Sequence, residues 1–178
     1  MSHHKPLLLT SLLCMAGVMP LAHAHISLQT PSAAVGSSYQ AVLRIGHGCQ
    51  GSDTTRIRVR IPDGVLAVKP QPKAGWVLTL TDGPYTQPET LHGASIDHGV
   101  REIDWTGMLP DAYFDDFSFV ATLSPSLKPG DTLYFPVVQE CTQGVSRWID
   151  TSGNKKADNP APSLKLTAPQ PKGGHHSH

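Results

Sequence analysis

The stretch Thr55-Arg56-Ile57-Arg58-Val59-Arg60-Ile61 has the clearest alternation in the chain, with apolar side chains at every second position. Successive side chains of a β-strand point to opposite faces, so this pattern predicts a strand with Ile57, Val59 and Ile61 buried and the arginines in water. Nucleic-acid-binding surfaces also carry arginine rows. No aromatic side chains interleave with this one, and we therefore interpret it as a solvated strand face.

Similar short patterns lie on both sides of this run, separated by turn signals such as Pro62-Asp63-Gly64 and Lys128-Pro129-Gly130-Asp131. We predict strands at 25–28, 39–45, 55–61, 65–68, 76–80, 102–106, 115–123, 132–139, 144–149 and 160–167. Many short strands with turns between them predict an all-β protein, built as one antiparallel β-sandwich domain.

The first 24 residues predict a secretory signal peptide. They combine a weakly basic start, an apolar run from Leu7 to Met19 that is too short to span a bilayer, and the small-residue cleavage pattern Ala22-His23-Ala24. Cleavage there leaves 178 − 24 = 154 residues, enough for one domain with a core. No later segment is apolar enough to predict a membrane span, and we expect export to the periplasm.

The charge balance is close to neutral. The chain has 14 Lys and Arg and 14 Asp and Glu, and the signal contains one of the basic residues, Lys5, so the rest carries 13 − 14 = −1. Such a balance gives no reason to expect nucleic acid or an anionic membrane as a partner. The end of the chain, 169–178, is rich in Pro, Gly and His and predicts a disordered tail.

Two cysteines, Cys49 and Cys141, follow the predicted signal. In an oxidising compartment two cysteines of a small domain are expected to pair. The bridge would close a loop of about 90 residues, worth roughly 4–5 kcal/mol in the chain-entropy model. Reactive or metal-binding thiols are the alternative.

Histidines are the main candidates for chemistry. Those after the predicted cleavage site are His25, His47, His92, His98, His175, His176 and His178. Cleavage after Ala24 would place His25 at the N-terminus, where its α-amine and imidazole Nδ1 could close a chelate ring on a metal ion. The alternative is a first residue that frays in solvent. The three tail histidines predict loose binding of Cu, Ni or Zn, and a solvated tail is the alternative.

Two further candidates lie near the cysteines. His47 lies two residues before Cys49, and Trp148 lies seven residues after Cys141. A bridge between the cysteines would therefore bring His47 and Trp148 into one neighbourhood. The alternatives are a surface turn histidine and an ordinary core tryptophan.

The remaining polar candidates have weaker signals. Asp53 and Glu140 could support a metal ligand, and a turn or surface acid is the alternative for each. We predict His92, Asp97 and His98 in an exposed Gly-rich loop, with a second weak metal site as the alternative. No Ser/His/Asp set or carboxylate pair indicates catalysis, and we do not expect an enzyme.

Four features, taken in order, resemble the YcnI-like copper-binding domain family over residues 25–168. They are His25 directly after the signal; Gly46-His47-Gly48-Cys49-Gln50-Gly51-Ser52; Ile61-Pro62-Asp63-Gly64-Val65 followed by Gly75-Trp76; and Cys141 with Trp148. The resemblance implies an immunoglobulin-like sandwich and a copper site of the histidine-brace type. In that site His25 supplies amine and imidazole nitrogens, and Trp148 packs beside the metal. It also implies a periplasmic copper chaperone of the PCuAC type as a partner.

The sequence departs from the better-known members of that family in two places. They have a glutamate at the end of the second strand, where this chain has His47, and a membrane helix where it has the His-rich tail. We interpret His47 as the replacement ligand, because nitrogen donors suit Cu(II). Amine and imidazole must lose protons to bind, so we expect binding to weaken below about pH 6.

These observations predict an exported protein that holds Cu(II) at His25 and His47, near Trp148, for storage, trafficking or handover to a chaperone. Two alternatives remain open on the sequence. One is a small histidine-brace copper oxidase or monooxygenase, and the other is a structural sandwich without a metal.

Overall fold

The computed structural model describes residues 25–154 and 157–169, and the all-β prediction is confirmed there. The strands are β1 Ser27–Leu28, β2 Ser32–Ala34, β3 Ser38–Ile45, β4 Thr54–Arg60, β5 Val65–Pro70, β6 Val77–Leu91, β7 Ala94–Leu109, β8 Asp115–Leu123, β9 Thr132–Tyr134, β10 Val137–Cys141, β11 Val145–Trp148 and β12 Ser163–Thr167. None of these residues forms a helix long and apolar enough to cross a membrane. The predicted signal and, beyond Pro169, the predicted His-rich tail lie outside the described residues.

The strands form two main sheets and one small one. The first has the order β1-β3-β8-β5 and the second β11-β10-β4-β7-β6, and neighbours in both are antiparallel. The small sheet has the order β2-β12-β9, with β2 and β12 parallel. The alternating stretch that predicts a strand is therefore the centre of the five-stranded sheet.

The core lies between the two main sheets. Ile57, Val59 and Ile61 are fully buried, as their alternation predicts. Trp105 of β7 packs edge-on against Phe117 of β8 with ring centroids 5.5 Å apart, which joins the five-stranded sheet to the four-stranded one. This contact and the shared buried cluster make the molecule a β-sandwich.

The arginines of β4 lie on the other face of the sheet. Arg56 forms an ion pair with Asp104 on β7, and Arg58 contacts Glu140 on β10 at 3.1 Å. Two of the three arginines are thus paired with carboxylates of the flanking strands, as expected for a solvated strand face.

The structure differs from the prediction between residues 81 and 101, which form a long hairpin rather than loops. At its tip His92 and Gly93 both have left-handed backbones, with φ of 50° and 82°, which suits a tight hairpin turn. The pairing shifts register at two points, and β6 is an edge strand, so its prolines are tolerated. Asp97 and His98 therefore lie on β7, although both remain exposed as predicted.

The predicted strand 132–139 is divided at Phe135-Pro136. Pro136 has no N–H to give to a ladder, and the chain changes sheets there. β9 pairs with β12 in the small sheet, whereas β10 pairs with β4 and β11 in the large one.

Candidate metal centre

The first residue of the predicted mature chain lies at a corner of the sandwich. β1 is the edge of the four-stranded sheet, and β11 is the edge of the five-stranded sheet. In the β1–β3 ladder Ser27 is opposite Arg44 and Leu28 opposite Leu43. His25 lies two residues before Ser27 and Gly46 two residues after Arg44, so both lie just beyond the same end of this ladder, and His47 follows Gly46.

The structure brings His25 to Trp148. The imidazole of His25 is exposed and lies against the indole with ring centroids 5.7 Å apart and an interplanar angle of 73°. Trp148 is only 6% exposed, so the contact is made with a buried ring. Two residues that the sequence places 123 positions apart (148 − 25) are therefore in contact.

The loop between β3 and β4 is held in place by the bridge between Cys49 and Cys141, whose Cα atoms are 5.9 Å apart. The predicted disulfide is thus present. Only glycine fits at position 48 of this loop, since a Cβ there would lie 1.7 Å from the carbonyl oxygen of Ser52. The Gly48 N–H donates to the Asp111 carboxylate at 2.8 Å, which ties the loop to the turn after β7.

His47 is half-buried in this loop, and its Nδ1 lies 2.6 Å from the carbonyl oxygen of Gly48. A carbonyl only accepts hydrogen bonds, so Nδ1 carries the proton. In the neutral ring this leaves a lone pair on Nε2. Metal-binding histidines usually have this arrangement, with one ring nitrogen bonded to the metal and the other donating to a carbonyl or carboxylate.

Gln139 joins these residues, although the sequence reasoning missed it. Its side chain is 1% exposed; Oε1 accepts from Trp148 Nε1 at 3.2 Å, and Nε2 donates to the His47 carbonyl at 2.7 Å and to Thr54 Oγ1 at 2.8 Å. The signal that could have revealed it is an amide at an inward-facing strand position, two residues after buried Val137.

The other candidates have contacts that do not involve His25, His47 or Trp148. The Asp53 carboxylate accepts from the backbone N–H of Asp111 at 2.9 Å, as a turn acid does. Glu140 contacts Arg56 and Arg58 on the outer face of the sheet. His98 contacts Asp97 at 2.7 Å on the exposed hairpin. His175, His176 and His178 lie outside the described residues.

The side-chain donor set of this corner is small. Within residues 25–154 and 157–169, no three His, Cys, Asp or Glu side chains are grouped to hold a metal ion. The corner contributes the imidazoles of His25 and His47. A third donor would come from the backbone nitrogen of His25, which is an amide in the 178-residue chain and becomes an amine after cleavage at Ala24.

The two face-to-face sheets and the disulfide-closed corner define the class of protein, an immunoglobulin-like β-sandwich. A solved structure of an uncharacterized protein from Nocardia farcinica, described as an immunoglobulin-like fold, matches with a TM-score of 0.58 and 20% sequence identity, covering 81% of this chain and 99% of that one. More particularly, the chain belongs to the DUF1775 family, a domain of unknown function, whose model matches residues 25–166. A comparison with curated proteins finds no match.

Proposed function

We propose that the mature protein, beginning at His25, binds one Cu(II) ion at the sandwich corner and stores it or passes it on. The His25 amine and imidazole and Nε2 of His47 would be the ligands, with Trp148 beside them. The observation that carries the proposal is the contact of the His25 ring with Trp148, 5.7 Å between centroids, at the corner where the His47 loop is anchored. Nitrogen donors of this kind favour copper over the other divalent first-row metals.

The surroundings of the corner suit a binding site better than a solvated terminus. Trp148 gives one side of it an apolar wall, which would exclude water from one approach to the ion. The hydrogen bond from His47 Nδ1 to the Gly48 carbonyl fixes the ring and leaves Nε2 for the metal. Export to the periplasm and handover to a periplasmic copper chaperone of the PCuAC type are part of the same proposal. Export rests on the signal-peptide pattern of residues 1–24, and the chaperone rests on the sequence resemblance.

The experiment compares protein beginning at His25 with protein beginning at Ala24. Both carry Ala at 175, 176 and 178, so that the predicted tail site cannot contribute. Each is titrated with Cu(II) against a competing chelator, and electron paramagnetic resonance counts the nitrogen ligands. We expect one nitrogen-rich site per chain in the first protein. One added residue should weaken it more than tenfold, which is more than about 1.4 kcal/mol.

Equal affinity and equal spectra for the two proteins would refute the N-terminal site. No tight binding by the protein beginning at His25 would refute copper binding altogether and favour a structural sandwich. Sustained peroxide formation with a reductant would favour the oxidase alternative over storage.

A further inference from the structure

The geometry points to Gln139 as the positioning residue of this corner, the side chain that sets Trp148 and the His47 loop relative to each other. The inference rests on the proposed copper site and deepens it. Gln139 would not contact the ion itself. Gln139 would act through the two elements that would surround the ion, β11 and the loop between β3 and β4.

The hydrogen bonds fix which way the amide points. An indole N–H can only donate, so the atom facing Trp148 must be Oε1. A backbone carbonyl can only accept, so the atom facing His47 must be Nε2. One orientation satisfies both partners and also the hydroxyl of Thr54. The reversed amide would place two donors together on one side and two acceptors on the other.

Each bond restrains a different part of the site. The bond to Nε1 holds the Trp148 ring beside His25. The bond to the His47 carbonyl holds the backbone from which the His47 imidazole projects. Because both bonds come from one buried side chain on β10, a shift of either element must disturb the other.

A purely packing role would not require this residue. The neighbouring inward position of β10 is occupied by Val137, which is fully buried. An amide buried in the same layer is unfavourable unless it is hydrogen-bonded, and here all its bonds go to the site elements and to Thr54. An apolar side chain at this position would fill the same space, but it would not link Trp148 to His47.

The test uses Gln139→Met, which keeps the length of the side chain and removes its hydrogen bonds. Gln139→Leu is the second variant in case the first does not fold. Thr54→Val is the matched control, because it removes one bond from the same amide and leaves the bonds to Trp148 and His47. Trp148→Phe removes the indole N–H together with part of the ring. All variants begin at His25 and carry the tail substitutions.

Two readouts separate positioning from general packing. In metal-free protein, the Trp148 indole N–H should exchange with solvent at least about tenfold faster in Gln139→Met than in wild type or Thr54→Val. With Cu(II), Gln139→Met should bind roughly 10–100-fold more weakly, the usual effect of losing an outer-shell partner, and its copper hyperfine splitting should change. Thr54→Val should stay within about twofold of wild type. The Cu(II) affinity of the double variant Gln139→Met/Trp148→Phe should fall by less than the product of the two single-variant fold losses, because the two residues share a contact.

The outcomes distinguish this inference from the proposed function. If wild type binds Cu(II) tightly while Gln139→Met and Gln139→Leu keep its affinity and spectrum, the positioning role is wrong and the copper site stands. Equal losses of Cu(II) affinity in Gln139→Met and Thr54→Val would also overturn the positioning role, because they would indicate a packing effect. If wild type binds no copper, the proposed function fails and the inference fails with it.

Discussion

A hydrogen bond to one backbone carbonyl sets the tautomer of the His47 ring. Its Nδ1 donates to the carbonyl of the next residue, Gly48, at 2.6 Å, and the Gly48 N–H is in turn held by Asp111. The ring, the peptide behind it and the neighbouring turn are thus linked. The free nitrogen of His47, Nε2, is the one that a metal ion would use.

This arrangement predicts a separable effect for His47→Ala. The side chain is half-buried in a loop, so we expect a small change in the free energy of unfolding, within about 1 kcal/mol. Cu(II) affinity should fall at least about tenfold, with one fewer nitrogen in the spectrum. His98→Ala is the matched control, since it removes an exposed imidazole that pairs with Asp97 away from the corner. Unchanged affinity and spectrum in His47→Ala would show that the second ligand is another residue.

At the scale of single residues, the sequence reveals groups with distinctive chemistry but not the groups that hold them. His25 follows a cleavage pattern, and His47 and Trp148 lie near the two cysteines, so each could be selected before the fold was known. Gln139 could not be assigned a role, because its importance depends on partners from two other elements. A buried amide is recognisable only as a polar residue at an inward strand position.

At the scale of strands, the prediction was accurate where one face is buried and the other solvated. β3 and β4 follow their period-2 patterns because a core lies on one side only. The hairpin of β6 and β7 was missed between residues 81 and 101. There most side chains are exposed or only partly buried, so no alternation marks the strands, and Gly83 and Pro84 imitate a turn. Backbone pairing, supported by contacts such as the ion pair of Arg101 with Asp63, extends these strands beyond the core.

The hydroxyl of Tyr39 adds to the contacts that tie β3 to the segment following β1. Tyr39 is buried, and its hydroxyl donates to the carbonyl of Thr30 at 2.7 Å. Burial raises the pKa of Tyr39 from 10.0 to about 12, because the phenolate would lose its hydration. This contact lies at the far end of the segment that leads back to His25.

The raised pKa predicts how this contact responds to alkali. A tyrosine that ionises near 10 when unfolded and near 12 when folded contributes stability in full below pH 10, and the contribution is lost as the pH rises through 12. Tyr39→Phe should cost about 1 kcal/mol at pH 8, through the lost hydrogen bond. At pH 11 the difference in unfolding free energy between wild type and Tyr39→Phe should narrow by on the order of 1 kcal/mol. The reason is that only wild type has a hydroxyl whose ionisation favours the unfolded state. Urea unfolding of both proteins at the two pH values measures this difference in free energy. A difference that is the same at both pH values would contradict the raised pKa of Tyr39.

At the scale of the whole molecule, the candidate site lies on the seam between the two main sheets. His25 precedes the edge strand of one sheet, and Trp148 ends the edge strand of the other. The His47 loop crosses between them, since β3 belongs to the first sheet and β4 to the second. The site therefore forms only when the sandwich closes. For this reason, the candidate residues could be named from their chemistry and the family resemblance, but their arrangement in space could not be predicted.

The disulfide should stabilise the closed sandwich more than it shapes the site. It joins residues 92 apart in sequence and therefore restricts the unfolded chain strongly. Cys49→Ala/Cys141→Ala should lower the free energy of unfolding by about 4–5 kcal/mol in urea titrations of metal-free protein. The His47 loop keeps its bonds to Gln139 and Asp111 in that variant, so Cu(II) affinity of the folded protein should fall less than about threefold. This is the reverse of the pattern expected for His47→Ala, which serves as the comparison. A folded double variant that lost copper tenfold or more would mean that the bridge, rather than Gln139, holds the loop.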